Sequence, residues 1–195
     1  MMQLQMPFLI SLSYLLCGGV LADEKSTVVG PQKGSLVIMG GGGKTTAQVF
    51  GKFIELAGGK KAHIVIVPTA SSSNPNHNYE RSWSAKLAKE KFGVAEVTIL
   101  HTHDREEADT EAFVKPITTA TGIWFGGGRQ WRLTKAYGAT RSETEFHKVL
   151  ERGGAIGGSS AGATIQVNVA SIAGGLTVWS RDGWKTPCRP ATTTN

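Results

Sequence analysis

The amino-acid sequence predicts an α/β fold, a three-layer α/β/α sandwich around a mostly parallel sheet. Three observations carry that expectation. Short β-branched runs alternate with stretches whose apolar residues recur at helical spacing, as parallel strands joined by crossover helices require. Four of the five segments that follow the strand candidates are rich in Gly or Ser, and ligands bind beyond the carboxyl ends of such strands. The 195 residues suffice for one domain of this kind and are too few for two.

Taken in order, the first element is not part of the domain. An almost uncharged apolar run ends in Val20-Leu21-Ala22, with small residues where a signal peptidase reads, so residues 1–22 are expected to be a cleaved secretory signal. That places the chain outside the cell or in the periplasm, without stable membrane association once the signal is removed. Residues 23–34 read as a linker and 35–180 as the domain. The strand candidates are 36–39, 63–67, 96–100, 122–125 and 155–157. Between them, 46–57 carries Val49, Phe50, Phe53, Ile54 and Ala57 on one helical face, and 78–92 and 106–115 repeat the pattern more weakly. From Arg181 onward periodicity is lost, and 181–195 is expected to be an irregular tail.

Composition narrows the partners. The net charge is +6, but basic residues are interleaved with acids, as in Lys86-Leu87-Ala88-Lys89-Glu90-Lys91, which describes a solvated helix face and argues against nucleic acid. The two cysteines are Cys17 and Cys188; with the first in the signal, no intramolecular disulfide is expected. Oligomeric state is not legible, and a homodimer stays open.

The segment with the clearest chemistry is Gly157-Gly158-Ser159-Ser160-Ala161-Gly162-Ala163. A serine between glycines, where a strand turns into a helix, reads as a nucleophile elbow: the turn is too sharp for bulky neighbours, and the following amides face the reacting oxygen. The plainer alternative is a glycine junction that lets a helix pack closely on the sheet. Gly126-Gly127-Gly128-Arg129-Gln130 ends the preceding strand and can bring a second backbone amide to the same cleft, making with the amide of Ala161 a two-donor oxyanion hole. Its alternative is an ordinary tight turn.

The succession LVIMGGG, IVIVPTASS, GIWFGGGRQWRL and VLERGGAIGGSSAGA resembles the serine peptidase family of cyanophycinase and aspartyl dipeptidase, its cyanophycinase branch above all. The resemblance covers roughly residues 35–175 and implies a fold like that of the class I glutamine amidotransferases. It implies a serine-type exopeptidase acting on a peptide or cyanophycin-like substrate, with a β-aspartyl linkage among the options. By motif, Ser160 would be the nucleophile, Gly128 and Ala161 the oxyanion donors, and Gln130 and Arg129 substrate contacts. No metal or organic cofactor is implied. Arg129 departs from the family's turn, which has Asp there. The family continues past the elbow to a histidine base, whereas His63, His77, His101, His103 and His147 all precede Ser160. The chain is therefore read as a C-terminally truncated member with little hydrolysis, because losing the base of a serine triad costs on the order of a million-fold.

Other readings stay open beside this one. The same fold can serve as a non-catalytic remnant or binding module. Gly40-Gly41-Gly42-Gly43-Lys44-Thr45 suggests phosphate binding, but the first glycine of a P-loop would fall on Ile38, so a Gly-rich turn is expected instead. His101 and His103 sit at a strand's carboxyl end, where replacing the base or holding a cation is an open reading; no second ligand cluster supports the cation.

Overall fold

A computed structural model describes residues 31, 33–41, 45–74, 77–79, 82–166, 169–172 and 175–178. The expected signal at 1–22, most of the linker, the glycine-rich residues 42–44, both cysteines and the tail at 181–195 lie outside these.

Five parallel strands form one sheet: β1 (Ser35–Met39), β2 (His63–Val67), β3 (Glu96–Ile99), β4 (Gly122–Phe125) and β5 (Ala155–Ser159), in the order β1-β5-β4-β2-β3. In β2 all five residues are buried, and its successive side chains enter different cores. Ile64 and Ile66 meet Phe50, Phe53, Ile54 and Ala57 of α1 (Thr46–Leu56) and its end, together with Ala85 and Ala88 of the second helical stretch. Val65 and Val67 meet Val114, Ile117, Leu133, Phe146 and Val149 from the helices on the other side. A strand buried on both faces belongs in the middle of three layers, so the expected α/β/α sandwich is what the chain forms.

The helices of the second face are α3 (Arg105–Ala108), α4 (Glu111–Thr119), α5 (Gln130–Tyr137) and α6 (Arg141–Glu151). In α6 Ser142, Phe146, Val149 and Leu150 are buried, a stripe at i, i+4, i+7 and i+8 that faces the sheet. A short α7 (Ala161–Thr164) follows β5, and β6 (Val169–Ile172) and β7 (Gly175–Val178) form a separate antiparallel pair.

Three elements differ from the sequence expectation. The helix expected over 78–92 begins only at Trp83, where Ser82 accepts a hydrogen bond from the Ala85 amide at 3.3 Å; α2 (Trp83–Lys86) then widens into a π turn (Leu87–Lys91). The helix expected over 106–115 is two helices, because Thr110 stops one and caps the next by accepting from the Phe113 amide at 3.2 Å. Strand β5 runs two residues past 157, since Gly158 and Ser159 pair with Ile38 and Met39 of β1.

The topology prepares two crevices. The chain leaves β2 toward the α1 face and β4 toward the opposite face, and β1 and β5 diverge likewise. Adjacent strands whose connections part in this way leave an open cleft beyond their carboxyl ends. One crevice borders the loop after β4 and the other the loop after β5. Among the described residues no helix is long and apolar enough to cross a membrane.

Candidate active site

Ser160 stands between β5 and α7 with φ 51° and ψ −114°. A positive φ is uncommon for a residue with a Cβ and carries strain that the surroundings must hold in place. Here the backbone is held on both sides. The Ser160 amide donates to Met39 O at 2.9 Å, and its carbonyl accepts from the amides of Ala163 and Thr164 and from Thr164 Oγ1 at 2.9–3.0 Å. The side chain is exposed, and among the described residues nothing hydrogen-bonds its Oγ.

The flanking glycines make the turn sterically feasible. A Cβ on Gly158 would lie 2.4 Å from Gly162 O, and one on Gly162 would lie 2.1 Å from Phe125 O. Any side chain at either place would drive α7 away from β4 and β5, so these glycines serve close approach. That is also what the packing alternative required, and the positive φ at Ser160 is the feature it does not explain.

The turn after β4 reaches the same point. A Cβ on Gly127 would stand 3.4 Å from Ser160 Cβ. Gly128 has φ 138°, and a Cβ there would lie 2.1 Å from Ala70 O, which fixes glycine by conformation and by space alike. The Ala70 carbonyl accepts from the Arg129 amide at 2.8 Å and from Arg132 Nη1 at 3.0 Å, tying the loop after β2 to this turn. The amides of Gly127, Gly128 and Ala161 have no acceptor among the described residues. Gln130 opens α5 and is half-buried, while Arg129 just before it is exposed.

Sequence reasoning identified the serine and both glycine turns. It missed Ala70, Arg132, Thr69 and Tyr137, which hold the turns in place. Thr69 Oγ1 lies 2.6 Å from Tyr137 Oη and 2.9 Å from His101 Nδ1, so the residue before Ala70 is anchored to both α5 and the end of β3. Burial pushes the Tyr137 hydroxyl up to about 12, which keeps it a neutral partner in this network. Only the polar run after β2, Thr69-Ala70-Ser71-Ser72-Ser73, signalled it in sequence.

The histidines fall elsewhere. His101 and His103 follow β3, three strand positions from β5, a separation of about 14 Å at the usual spacing. The His101 ring lies tilted against Tyr79 at 4.0 Å and edge-on to His103 at 4.7 Å, and His77 packs edge-on to Tyr79. Desolvation, then the neighbouring His103, lowers the His101 pKa to about 4 against the opposing pull of Glu107. His63 starts β2 at the far end of the sheet, buried, with Thr98 and Thr119 at 3.1 Å. His147 lies on α6. Among the described residues no group of three or more His, Cys, Asp or Glu side chains is gathered for a metal ion. Gly40 and Gly41 have open space around them, and Thr45 precedes α1 without a side-chain capping bond.

Residues 36–173 match the sequence model described as Peptidase family S51. Over 132 residues, 66% of this chain, it is 33% identical to a cyanophycinase of Synechococcus elongatus and to one of Thermosynechococcus vestitus. The chain spans 39% of the length of those two curated relatives. The crystal structure of a peptidase from an acI-B1 Actinobacterium superposes with a TM-score of 0.62 at 26% identity, over 72% of this chain and 59% of that one.

Proposed function

The chain belongs to peptidase family S51, and from that premise we propose that it is a serine-type hydrolase of peptide amides with Ser160 as its nucleophile. The observation that carries the reading is the positive φ of Ser160 at a strand-to-helix turn, exposed and abutted by the Gly127 turn. Strain of this kind persists where it aims a side chain at a ligand. Oγ would attack the scissile carbonyl carbon, its proton passing to a base, and the carbonyl oxygen would become an oxyanion facing the unengaged amides of Gly128 and Ala161. Collapse of that intermediate expels the amine, which takes up a proton, and leaves an acyl-enzyme for water to hydrolyse.

Gln130 and Arg129, at the mouth of the same turn, would contact the substrate, a peptide for which the cyanophycinase relatives make a cyanophycin-like polymer one candidate. Export directed by residues 1–22 belongs to the same proposal.

Exposure of the full chain to a fluorophosphonate, followed by peptide mass mapping, tests the assignment. A covalent adduct on Ser160, absent after Ser160→Ala, is the expected result. An unmodified Ser160 at exhaustive reagent would overturn nucleophilic catalysis and leave the cleft as a peptide-binding surface.

A further inference from the structure

The chain turns tightly as it leaves β2. The Ser71 amide donates to Pro68 O at 2.8 Å, so Thr69 and Ala70 are the two central residues of that turn, and both are fully buried. The Ala70 carbonyl faces the turn after β4, where it takes the Arg129 amide at 2.8 Å and leaves no room for a Cβ on Gly128. The Thr69 side chain belongs to a chain of hydrogen bonds. The Thr102 amide lies 3.3 Å from Tyr137 Oη, Tyr137 Oη lies 2.6 Å from Thr69 Oγ1, and Thr69 Oγ1 lies 2.9 Å from His101 Nδ1.

Counting hydrogens fixes the direction of this chain. The Thr102 amide can only donate, so it occupies an acceptor site on Tyr137 Oη. Each hydroxyl has one hydrogen, and among the described residues neither has a partner outside the chain. Both hydrogens find an acceptor in one arrangement alone: Tyr137 donates to Thr69, and Thr69 donates to the bare Nδ1 of a neutral His101. A proton on Nδ1 reverses the last bond. Thr69 must then accept from the imidazolium, and either its own hydrogen or that of Tyr137 is left buried without a partner. Desolvation of the ring works in the same direction, lowering the His101 pKa to about 4. The titratable groups facing the ring are His103 beside it, Glu107 of α3, His77 and Tyr79 from the loop after β2, and Tyr137 of α5; His103 and His77 add to the lowering and Glu107 opposes it. His103 differs in kind, because its Nε2 meets the Ser72 carbonyl at 2.8 Å and carries a hydrogen whether the ring is neutral or charged. Of the two, only His101 makes a bond that protonation inverts.

Resting on the reading of Ser160 as the reacting residue, we propose that Thr69 is a positioning residue for the oxyanion turn, holding Ala70 O against the backbone of Gly128 and Arg129 only while a neutral His101 accepts its hydroxyl. A proton taken from solvent by Nδ1 deprives Thr69 of its acceptor and lets the turn at 68–71 shift. The Gly128 amide then leaves the place where the oxyanion forms beside Ser160. Neither Thr69 nor His101 touches the substrate.

The test follows the His101 ring and the Gly128 and Arg129 amides by NMR in the full chain as pH is lowered from neutral through about 4, with the Trp124 indole reporting the core. The amides should move with the midpoint of the His101 ring while the indole stays still. In Thr69→Val, which keeps the shape and removes the hydroxyl, the amides should no longer follow the ring, and Thr69→Ser should restore the coupling. In His101→Asn, whose oxygen can accept from Thr69 without titrating, they should hold their neutral positions throughout. Fluorophosphonate labelling of Ser160 at neutral pH should slow about tenfold in Thr69→Val and recover in Thr69→Ser, as a misplaced donor implies. Amides that ignore the ring, that follow it in Thr69→Val or that still move in His101→Asn would overturn the inference. So would an indole that moves with them, which is global unfolding, or an undiminished labelling rate in Thr69→Val. Loss of labelling in His101→Asn with its amides in place would also overturn it, since His101 would then act on the serine itself. Failure of the underlying reading is separate: a Ser160 that is never labelled, beside amides that follow His101, removes the nucleophile and keeps the coupling. Labelling of Ser160 with amides indifferent to His101 does the reverse.

Discussion

A side chain at Gly162 would have its first carbon 2.1 Å from Phe125 O, so Gly162→Ala should displace α7 and cost about 2–4 kcal/mol. Gly41→Ala is the matched control, because nothing lies within 4 Å of its Cβ position, and it should stay within about 0.5 kcal/mol. Urea midpoints of the two variants check the contrast. His101 gives a prediction of a different kind. Its pKa is lowered to about 4 in the folded protein from the usual 6.5 of an imidazole, chiefly by desolvation. Between those pH values the unfolded chain binds the proton and the native one does not, so this group's contribution is full above about 6.5 and is lost as pH falls toward 4. In His101→Gln the urea midpoint should therefore fall less steeply across that window than in the parent chain; an unchanged slope would discount the half-buried neutral imidazole. At this scale the sequence was readable where a residue acts through its own backbone, as at Ser160, Gly128 and Gly162. Ala70 could not be recognised, since its carbonyl matters only because folding brings Arg129 and Arg132, 59 and 62 residues away, to meet it.

The helices show which local signals compete. Thr110 is a cap by geometry, with its hydroxyl on the Phe113 amide at 3.2 Å. Thr110→Ala should cost about 1 kcal/mol and Thr110→Ser should recover most of it, read as shifts in thermal midpoint. Apolar spacing alone merges α3 with α4, because Ala108, Val114 and Ile117 face one core, and only the capping chemistry of Asp104 and Thr110 separates them. Pro116 argues in sequence for a stop at 115, yet α4 continues to Thr119. Burial of Val114 and Ile117 against the sheet prevails over the lost backbone bond. Helix α6 opens at Thr140-Arg141-Ser142-Glu143, the spacing of a capping box, yet Thr140 makes no side-chain capping bond and its hydroxyl donates to Tyr137 O instead. In the fold the Glu143 carboxylate accepts the Ala139 amide, and burial raises its pKa against the pull of that bond. The five strands were legible to within two residues because each is a short β-branched or Gly-bounded run. Their order was not, since nothing local tells β5 to lie between β1 and β4.

For the molecule as a whole, the sheet and its two cores form one cooperative unit with Trp124 near its centre. The indole is 1% exposed, lies edge-on to Phe50 at 4.8 Å and meets Phe53 at 5.1 Å. Trp124→Ala should cost about 3–5 kcal/mol, seen in calorimetry as a large drop in midpoint, with loss of a single folded state if the parent is less stable than that. The pairing of β1 with β5 also governs when the serine acquires its geometry. Ser35 aligns with Ala155, and the Ser160 amide is held by Met39, so the turn depends on strands more than a hundred residues apart in the chain. Closing so long a loop carries an entropy penalty that local elements escape. During synthesis β1 leaves the ribosome with its partner not yet made, and every helix of the second core can begin to form before that partner arrives. Ser160 is thus oriented by a late, long-range event, and a chain with all its local structure formed would still lack a poised hydroxyl until its first strand and its fifth have met.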